Sequence, residues 1–199
     1  MIKKIGFIHL FFGMIAFGIY HYNLQGPDLA WNMFLALVAL DFSLVTYYVR
    51  FRVVKYASLL LWLFFYPNTF YMLTDIVHMH FASTVLWDKT SLILYMLYVS
   101  SILFGVLCGI ESFKNIMETF KVRNDYLRLI FIGLLSFISS FAIHIGRYAR
   151  LNSWDIFTRP KTVVAEILNV VGWDAVHFVI GFTFIQILCL VFLDRKPEK

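Results

Sequence analysis

Two polar stretches interrupt a sequence that is otherwise strongly apolar, and the first contains residue types suited to acid–base chemistry. It carries Asn68, Tyr71, Asp75 and His78. At about 100° per residue, the spacing of these four side chains places them on one face of a helix. A carboxylate and an imidazole on the same face can exchange a proton or bind a metal ion. We therefore predict Asp75 and His78 as candidate catalytic residues, and Asn68 and Tyr71 as candidates for ligand binding.

The second polar stretch runs from the end of the fifth apolar segment to the start of the sixth, and it is rich in arginine and histidine. Its candidate ligand-binding residues are His144, Arg147, Arg150, Asn152, Asp155, Asp174 and His177. Guanidinium groups pair with carboxylates or anionic ligands through two parallel hydrogen bonds. If both stretches lie at the same face of a membrane, their opposite charges are expected to pair there. Asp75, His78 and His177 are weak candidates for metal ligands, and the sequence predicts neither a bound metal nor a cofactor.

The composition is that of a membrane protein rather than of a soluble domain. The chain has 199 residues, of which 61% are hydrophobic and 15% are charged, and its mean hydropathy is +0.77. Lipid replaces water around such a surface, so the expected partner is the lipid bilayer. The net charge of +5 is small, and we expect no nucleic acid to bind. Cys108 and Cys189 form no CxxC pair and are expected to be small buried hydrophobes.

Six apolar segments are candidates to cross a bilayer as helices, which takes about 20 residues, and the first of them is the shortest and weakest. They are Ile5–Tyr20, Leu29–Val49, Tyr56–Leu73, Ser91–Glu111, Leu129–Arg147 and Trp173–Leu193. A cleaved signal peptide is the alternative for the first of them. A stripe of Val, Ile and Leu after Pro160 predicts a short amphipathic helix on the outer surface. The predicted fold class is all-α: a polytopic membrane helix bundle of about six transmembrane helices plus that short helix, forming a single integral membrane domain over residues 1–199.

The distribution of positive charges predicts the orientation of the bundle. With six spans, twelve of the 17 Lys and Arg residues fall on the side of the N-terminus and five on the other side. Cytoplasmic loops carry the excess of positive charge, so both termini are expected in the cytoplasm. The loop that contains Arg147 and Arg150 opposes this trend, and pairing of these arginines with acids would explain the exception.

Two further polar residues lie inside the second predicted span. Asp41 is near its middle, where a buried charge costs several kcal/mol unless it is paired or protonated. Asp41 is either neutral or hydrogen-bonded to another helix, or it is a proton or ion relay. Asn32 lies close to the outer end of the same span, and we predict that it makes a hydrogen bond between helices.

The polar stretches also resemble the signature sequences of a known family. "YPNTFYMLTDIVH" and "GRYARLNSWDIFTRP" are similar to the two signature stretches of a bacterial family of multi-pass membrane proteins, domain of unknown function thirteen sixty-one. "LAWNMFLALVALDFS" is similar to an earlier Trp-Asn-containing helix of that family. The resemblance covers most of the chain and implies a multi-pass protein of the bacterial cell membrane. It implies no reaction, because none is assigned to the family.

Three kinds of function fit these observations. The first is a structural or accessory membrane protein, in which the polar residues only hold helices together. The second is a membrane-embedded enzyme acting on a lipid or lipid-linked substrate, with Arg147 and Arg150 holding an anionic head group at the outer leaflet. The third is a small transporter that uses Asp41 as a relay. The sequence has no Walker loop and no GxSxG or HExxH motif that would favour a particular reaction.

Overall fold

A computed structural model describes residues 2–24, 27–79, 87–148, 155–170 and 173–193, and every regular element among them is helical. The α-helices are α1 (Ile2–His21), α2 (Leu29–Tyr48), α3 (Arg52–Tyr71), α4 (Lys89–Thr119), α5 (Asp125–Tyr148), α6 (Asp155–Thr158), α7 (Pro160–Val170) and α8 (Trp173–Leu193). A 3₁₀ helix, Met72–His78, continues α3 without a break. The predicted all-α fold class is confirmed.

Five of the described helices, α1, α2, α4, α5 and α8, are long and apolar enough to cross a membrane. The remaining predicted span corresponds to α3, which has 20 residues but also carries charged and polar side chains near its ends. α4 has 31 residues and is about 46 Å long, so it is longer than the hydrocarbon layer of a bilayer. The short amphipathic helix predicted after the fifth span corresponds to α7.

α2 and α3 form an antiparallel pair joined by a short connection. The ring centroids of Phe42 and Phe65 are 5.7 Å apart, and the side chain of Asn32 hydrogen-bonds that of Asp75. Residue numbers therefore rise along one helix as they fall along the other. Because these two contacts lie near opposite ends of α2, α3 and its 3₁₀ extension cover most of the length of α2.

α4 runs antiparallel to α3, and two glycines allow the two helices to approach closely. A Cβ atom at Gly105 would lie 2.9 Å from the carbonyl oxygen of Thr69, and one at Gly109 would lie 2.5 Å from Oγ1 of Thr69. Small residues four positions apart permit such contacts between membrane helices. Closer to the start of α3, the indole Nε1 of Trp62 donates a hydrogen bond to Oγ of Ser112 in α4 at 3.0 Å.

α1 also runs antiparallel to α4. Lys4, near the start of α1, pairs with Glu111, whereas Gly18, near its end, lies against the side chain of Leu97. α1 is the least buried of the five candidate spans. It therefore lies on the outside of the bundle.

α5 and α8 form a second antiparallel pair. The amide of Gln186 donates to Oγ of Ser140 at 2.8 Å, and the rings of His144 and Phe178 are 5.2 Å apart. α5 ends beside the 3₁₀ helix, so it is parallel to α3. The six long helices consequently alternate in direction. We call the end where α1, α3 and α5 finish and α2, α4 and α8 begin the Asp75 end.

Gly109→Ala is expected to destabilise the bundle, because the added methyl group would meet Thr69 and Phe70 at distances of 2.5 to 3.0 Å. Overpacking of this kind costs about 1–3 kcal/mol. The matched control is Gly133→Ala in α5, where nothing lies within 4 Å of the added atom. It is expected to leave stability unchanged or to raise it, since Ala favours helix. Thermal unfolding in detergent compares the two variants, and equal melting temperatures would contradict the close approach of α3 and α4.

Candidate functional site

Three parts of the bundle bring polar side chains together at the Asp75 end. Asn32 belongs to the first turns of α2, Asp75 and His78 to the 3₁₀ helix, and Arg147 to the last turn of α5. We call these four residues the Asp75 cluster. Asp75, His78 and Arg147 were predicted as site residues from their types and spacing, whereas Asn32 was predicted only to bond another helix. Its partner is Asp75, which makes it part of the same site.

Hydrogen bonds and an ion pair connect the members of the cluster. The amide Nδ2 of Asn32 donates to Oδ2 of Asp75 at 3.0 Å, and Nη1 of Arg147 lies 3.7 Å from Oδ1 of Asp75. Nη2 of Arg147 lies 2.9 Å from Nε2 of His78. Because a guanidinium group has donors only, Nε2 of His78 accepts this bond. His78 therefore helps to orient Arg147.

The 3₁₀ winding explains why Asp75 and His78 face the same partner. With three residues per turn, side chains at positions i and i+3 lie directly above one another. The change of winding follows Pro67 of α3, which has no amide hydrogen to donate to the helix. The prediction of one common face assumed an α-helix throughout. Because the chain changes from α-helix to 3₁₀ helix after Tyr71, the side chains before and after Tyr71 do not lie on one common face.

Asn68 and Tyr71, the other two residues of the first polar stretch, make contacts of their own. Nδ2 of Asn68 donates to the carbonyl oxygen of Phe65 at 3.1 Å, so this side chain caps a backbone group of its own helix. Tyr71 is half-buried and packs against the hydrophobic core that α3 shares with α4, α5 and α8. Its carbonyl oxygen accepts a hydrogen bond from Oγ1 of Thr74 at 2.7 Å. These contacts tie both residues to the end of α3.

Burial dominates the electrostatics of Asp75, whose side chain is 0% exposed. Burial raises the pKa of Asp75 to about 6, and the hydrogen bond from Asn32 and the charge of Arg147 oppose this rise. Oδ1 of Asp75 accepts no hydrogen bond from the described residues, since Arg147 is too distant for one. The hydroxyl of Tyr98, in α4, also lies close enough to interact with the charge of Asp75. The carboxylate is thus enclosed by α2, α4 and α5.

His144 and Asp155 occupy separate environments near the same end. His144 is buried among aromatic rings, 4.4 Å from that of Tyr148 and 5.2 Å from that of Phe178. Asp155 is buried at the start of α6, and its Oδ1 lies 2.9 Å from Nη2 of Arg159. Asp155 therefore has a local cationic partner within one helical turn, which the sequence interpretation did not consider.

The remaining predicted residues add no described ligand to the cluster. His177 is exposed near the start of α8. Arg150 and Asn152 lie outside the described residues, as does the side chain of Asp174. Within the described part of the chain, no three His, Cys, Asp or Glu side chains are arranged to hold a metal ion. The weak metal candidates Asp75, His78 and His177 thus do not form such a group together.

Asp41 has a partner that the sequence did not reveal, His9 of α1. Nδ1 of His9 lies 3.0 Å from the carbonyl oxygen of Ile5, which can only accept, so Nδ1 carries a proton. Nε2 of His9 lies 3.4 Å from Oδ1 of Asp41. Buried apolar residues of α2 separate this pair from Asn32: Met33, Ala36, Leu37 and Leu40.

The fold and the site together define a helical membrane protein in which a buried Asp contacts a partly exposed Arg, and this Arg contacts a His, at one end of the bundle. The family model described as "Protein of unknown function (DUF1361)" matches residues 31–189, and the chain belongs to this family. It is the family that the two polar stretches resemble. No curated protein and no solved structure matches the chain. The matched range contains the whole Asp75 cluster, so the site is part of the family's domain.

The raised pKa of Asp75 predicts how stability depends on pH. An unfolded Asp titrates near about 3.9, so between that value and about 6 the folded protein binds more protons than the unfolded chain. Stability is therefore expected to fall as the pH rises through this range. Relative to Asp75→Asn, the wild type should be about 1 kcal/mol more stable at about pH 5 than at about pH 7. Thermal unfolding at both pH values measures this, and identical pH profiles for the two proteins would contradict the raised pKa.

Proposed function

We propose that this protein is a structural or accessory membrane protein in which the Asp75 cluster holds helices together. The observation that carries the proposal is the complete burial of the Asp75 carboxylate. A carboxyl group enclosed in this way is not in direct contact with a substrate in lipid or water. Its partners come from α2 and α5, so its role is to fix these helices to the end of α3.

The packing of the bundle supports this role, because it has two parts that need to be joined. α2, α3 and α4 pack mainly with one another, whereas α5 packs mainly with α8. The Asp75 cluster connects the two parts at one end. At the opposite end, the guanidinium of Arg128 in α5 lies 5.7 Å from the ring centroid of Phe113 in α4. Two polar contacts at opposite ends resist both separation and tilting of α5.

We also propose an orientation in the bacterial cell membrane, with the Asp75 end outside and both termini in the cytoplasm. The excess of Lys and Arg near the opposite end supports it. The alternating directions of the six long helices are consistent with it, since α1 begins and α8 ends at the same end of the bundle. The lipid bilayer is the partner that this arrangement requires.

Asp75→Asn and Arg147→Gln are expected to destabilise the protein non-additively. Arg147→Gln leaves the buried Asp75 without its cation, and Asp75→Asn leaves the partly exposed Arg147 without its acid, whereas the double variant removes both charges. A coupling energy of about 1–3 kcal/mol is therefore expected. The free energies of unfolding of the wild type, the two single variants and the double variant, measured in detergent at about pH 7.5, give this coupling energy.

The control cycle uses Lys4→Gln and Glu111→Gln, which alter an ion pair whose lysine is mostly exposed. Exposed pairs couple by less than about 1 kcal/mol. Additive effects of the Asp75 and Arg147 substitutions, or a coupling energy no larger than that of the control, would show that the cluster does not hold the helices together.

A second function fits the same residues, the binding of an anionic lipid head group by Arg147 and His78. The observation that favours it is that 26% of the Arg147 side chain is exposed, although that of Asp75 is not. A guanidinium has five N–H donors, and the contacts with Asp75 and His78 use only part of them. The others can bind the phosphate of a lipid or of a lipid-linked substrate. An enzyme built on this site would use His78 for acid–base work, and Asp75 would only position Arg147.

Arg147→Gln is expected to lower the retention of phosphatidylglycerol if this second function is correct. One cation near a lipid phosphate contributes about 1 kcal/mol, which corresponds to roughly a fivefold change. Native mass spectrometry of the purified protein counts the lipid adducts. The control is Arg159→Gln, which removes a mostly exposed arginine whose own partner is Asp155. Equal retention by the wild type and both variants would exclude Arg147 as a head-group ligand and leave only its structural role.

A further inference from the structure

A groove of about 300 Å³ lies between α1 and α2 at the Asp75 end. Its walls include Phe12, Ala16 and Tyr20 of α1, and Asp28, Trp31 and Phe34 at the start of α2. None of these residues belongs to the Asp75 cluster, so the groove is a separate feature. Its volume is at the lower end of the range for ligand pockets, which suits part of a lipid molecule rather than a whole one.

The groove opens to the surroundings of the bundle and not to its core. Tyr20, Trp31 and Phe34 are 73%, 46% and 42% exposed, although all three line the cavity. α1 contributes one wall and is itself the least buried candidate span. In a membrane, the molecules that reach this space are therefore the lipids beside α1 and α2.

The walls of the groove are apolar along most of its length. The rings of Phe12 and Phe34 are 6.5 Å apart, and the ring of Trp31 stacks on Phe34 with centroids 5.4 Å apart. Phe12 and Tyr20 are eight residues apart on α1, which corresponds to about 12 Å along the helix. A segment of an acyl chain can bury its apolar surface against such walls.

The mouth of the groove carries a negative charge. Asp28 is exposed, and its Oδ1 accepts a hydrogen bond from the backbone N–H of Trp31 at 2.9 Å. The sequence has no Lys or Arg between Lys4 and Arg50, so neither α1 beyond its first turn nor α2 supplies a cation beside this carboxylate. Tyr20 and Trp31 add aromatic faces, which attract ammonium groups. An acid flanked by aromatic rings is complementary to a cationic amine.

We propose that this groove binds a phospholipid with an amine head group, of which phosphatidylethanolamine is the simplest example. The ammonium group lies at Asp28 beside Tyr20 and Trp31, and one acyl chain lies along the rings of Phe12 and Phe34. A lipid that has only a negative charge, such as phosphatidylglycerol, lacks the cation that this mouth attracts and binds more weakly. The inference is independent of the role of the Asp75 cluster.

The test compares two lipids on the full-length protein in detergent. Native mass spectrometry after incubation with equal amounts of phosphatidylethanolamine and phosphatidylglycerol is expected to show preferential retention of phosphatidylethanolamine. Asp28→Asn should reduce that preference roughly fivefold, the effect of one charge at a lipid head group. Asn caps helices about as well as Asp, so the start of α2 is expected to be preserved, and circular dichroism verifies it.

The matched control is Asp88→Asn, which alters the N-cap of α4 at the same end of the bundle but outside the groove. Asp88 accepts a hydrogen bond from the backbone N–H of Ser91 at 2.7 Å, just as Asp28 does from Trp31. This variant should retain the lipid preference. Equal retention of both lipids by the wild type, or equal effects of the two Asn substitutions, would overturn the proposal.

A second variant tests the position of the acyl chain independently of charge. Ala16→Leu places a larger side chain in the apolar part of the groove, and Leu is compatible with a helix. It should lower the number of phosphatidylethanolamine adducts without changing the helical content. Unchanged retention by this variant would show that the acyl chain does not lie along Phe12 and Phe34.

Discussion

The requirement that polar groups find partners inside the protein governs how this bundle is assembled. No water replaces a missing partner in the hydrocarbon layer of a membrane, so a buried polar side chain is stabilised when it bonds to another helix or to its own backbone. Three hydrogen bonds between different helices illustrate this: Trp62 to Ser112, Asn115 to Ser43, and Gln186 to Ser140. Lipid tails are as apolar as Leu, so hydrophobic contact alone selects no partner helix. The polar pairs therefore contribute strongly to the register of the bundle.

The same requirement applies to Asp75, which contacts side chains of α2 and α5 although burial opposes its charge. Burial opposes its charge, whereas Asn32 and Arg147 favour it, and the balance leaves its pKa near 6. An ionised Asp75 attracts Arg147, but it also has to be kept out of water. Replacing such a pair by apolar residues often stabilises a protein, so the pair is not in itself evidence of stability. Its contact lies where α5 ends beside the 3₁₀ helix.

The sequence predicted the broad arrangement because the physical signals involved are local. Runs of apolar residues predicted the long helices, and opposite charges near the ends of two of them predicted that Asp75 would lie near Arg147. Two contacts depended on information that is not local. The pairing of His9 with Asp41 requires the register between α1 and α2, which one sequence does not contain. The change to 3₁₀ winding after Tyr71 altered the directions of side chains that had been assigned to one α-helical face.

Two of the arginines at the Asp75 end, which are counted as positive charges on that side, form ion pairs with acidic side chains. Arg147 lies 3.7 Å from Asp75, and Arg159 lies 2.9 Å from Asp155, so each has an acid of its own. At the opposite end, one acid, Glu111, lies near both Lys4 and Lys114. In these pairs, two arginines face two acids at the Asp75 end, whereas two lysines share one acid at the other end. Both described arginines at the Asp75 end therefore have an acidic partner, whereas the larger number of Lys and Arg residues lies at the end where α1 begins.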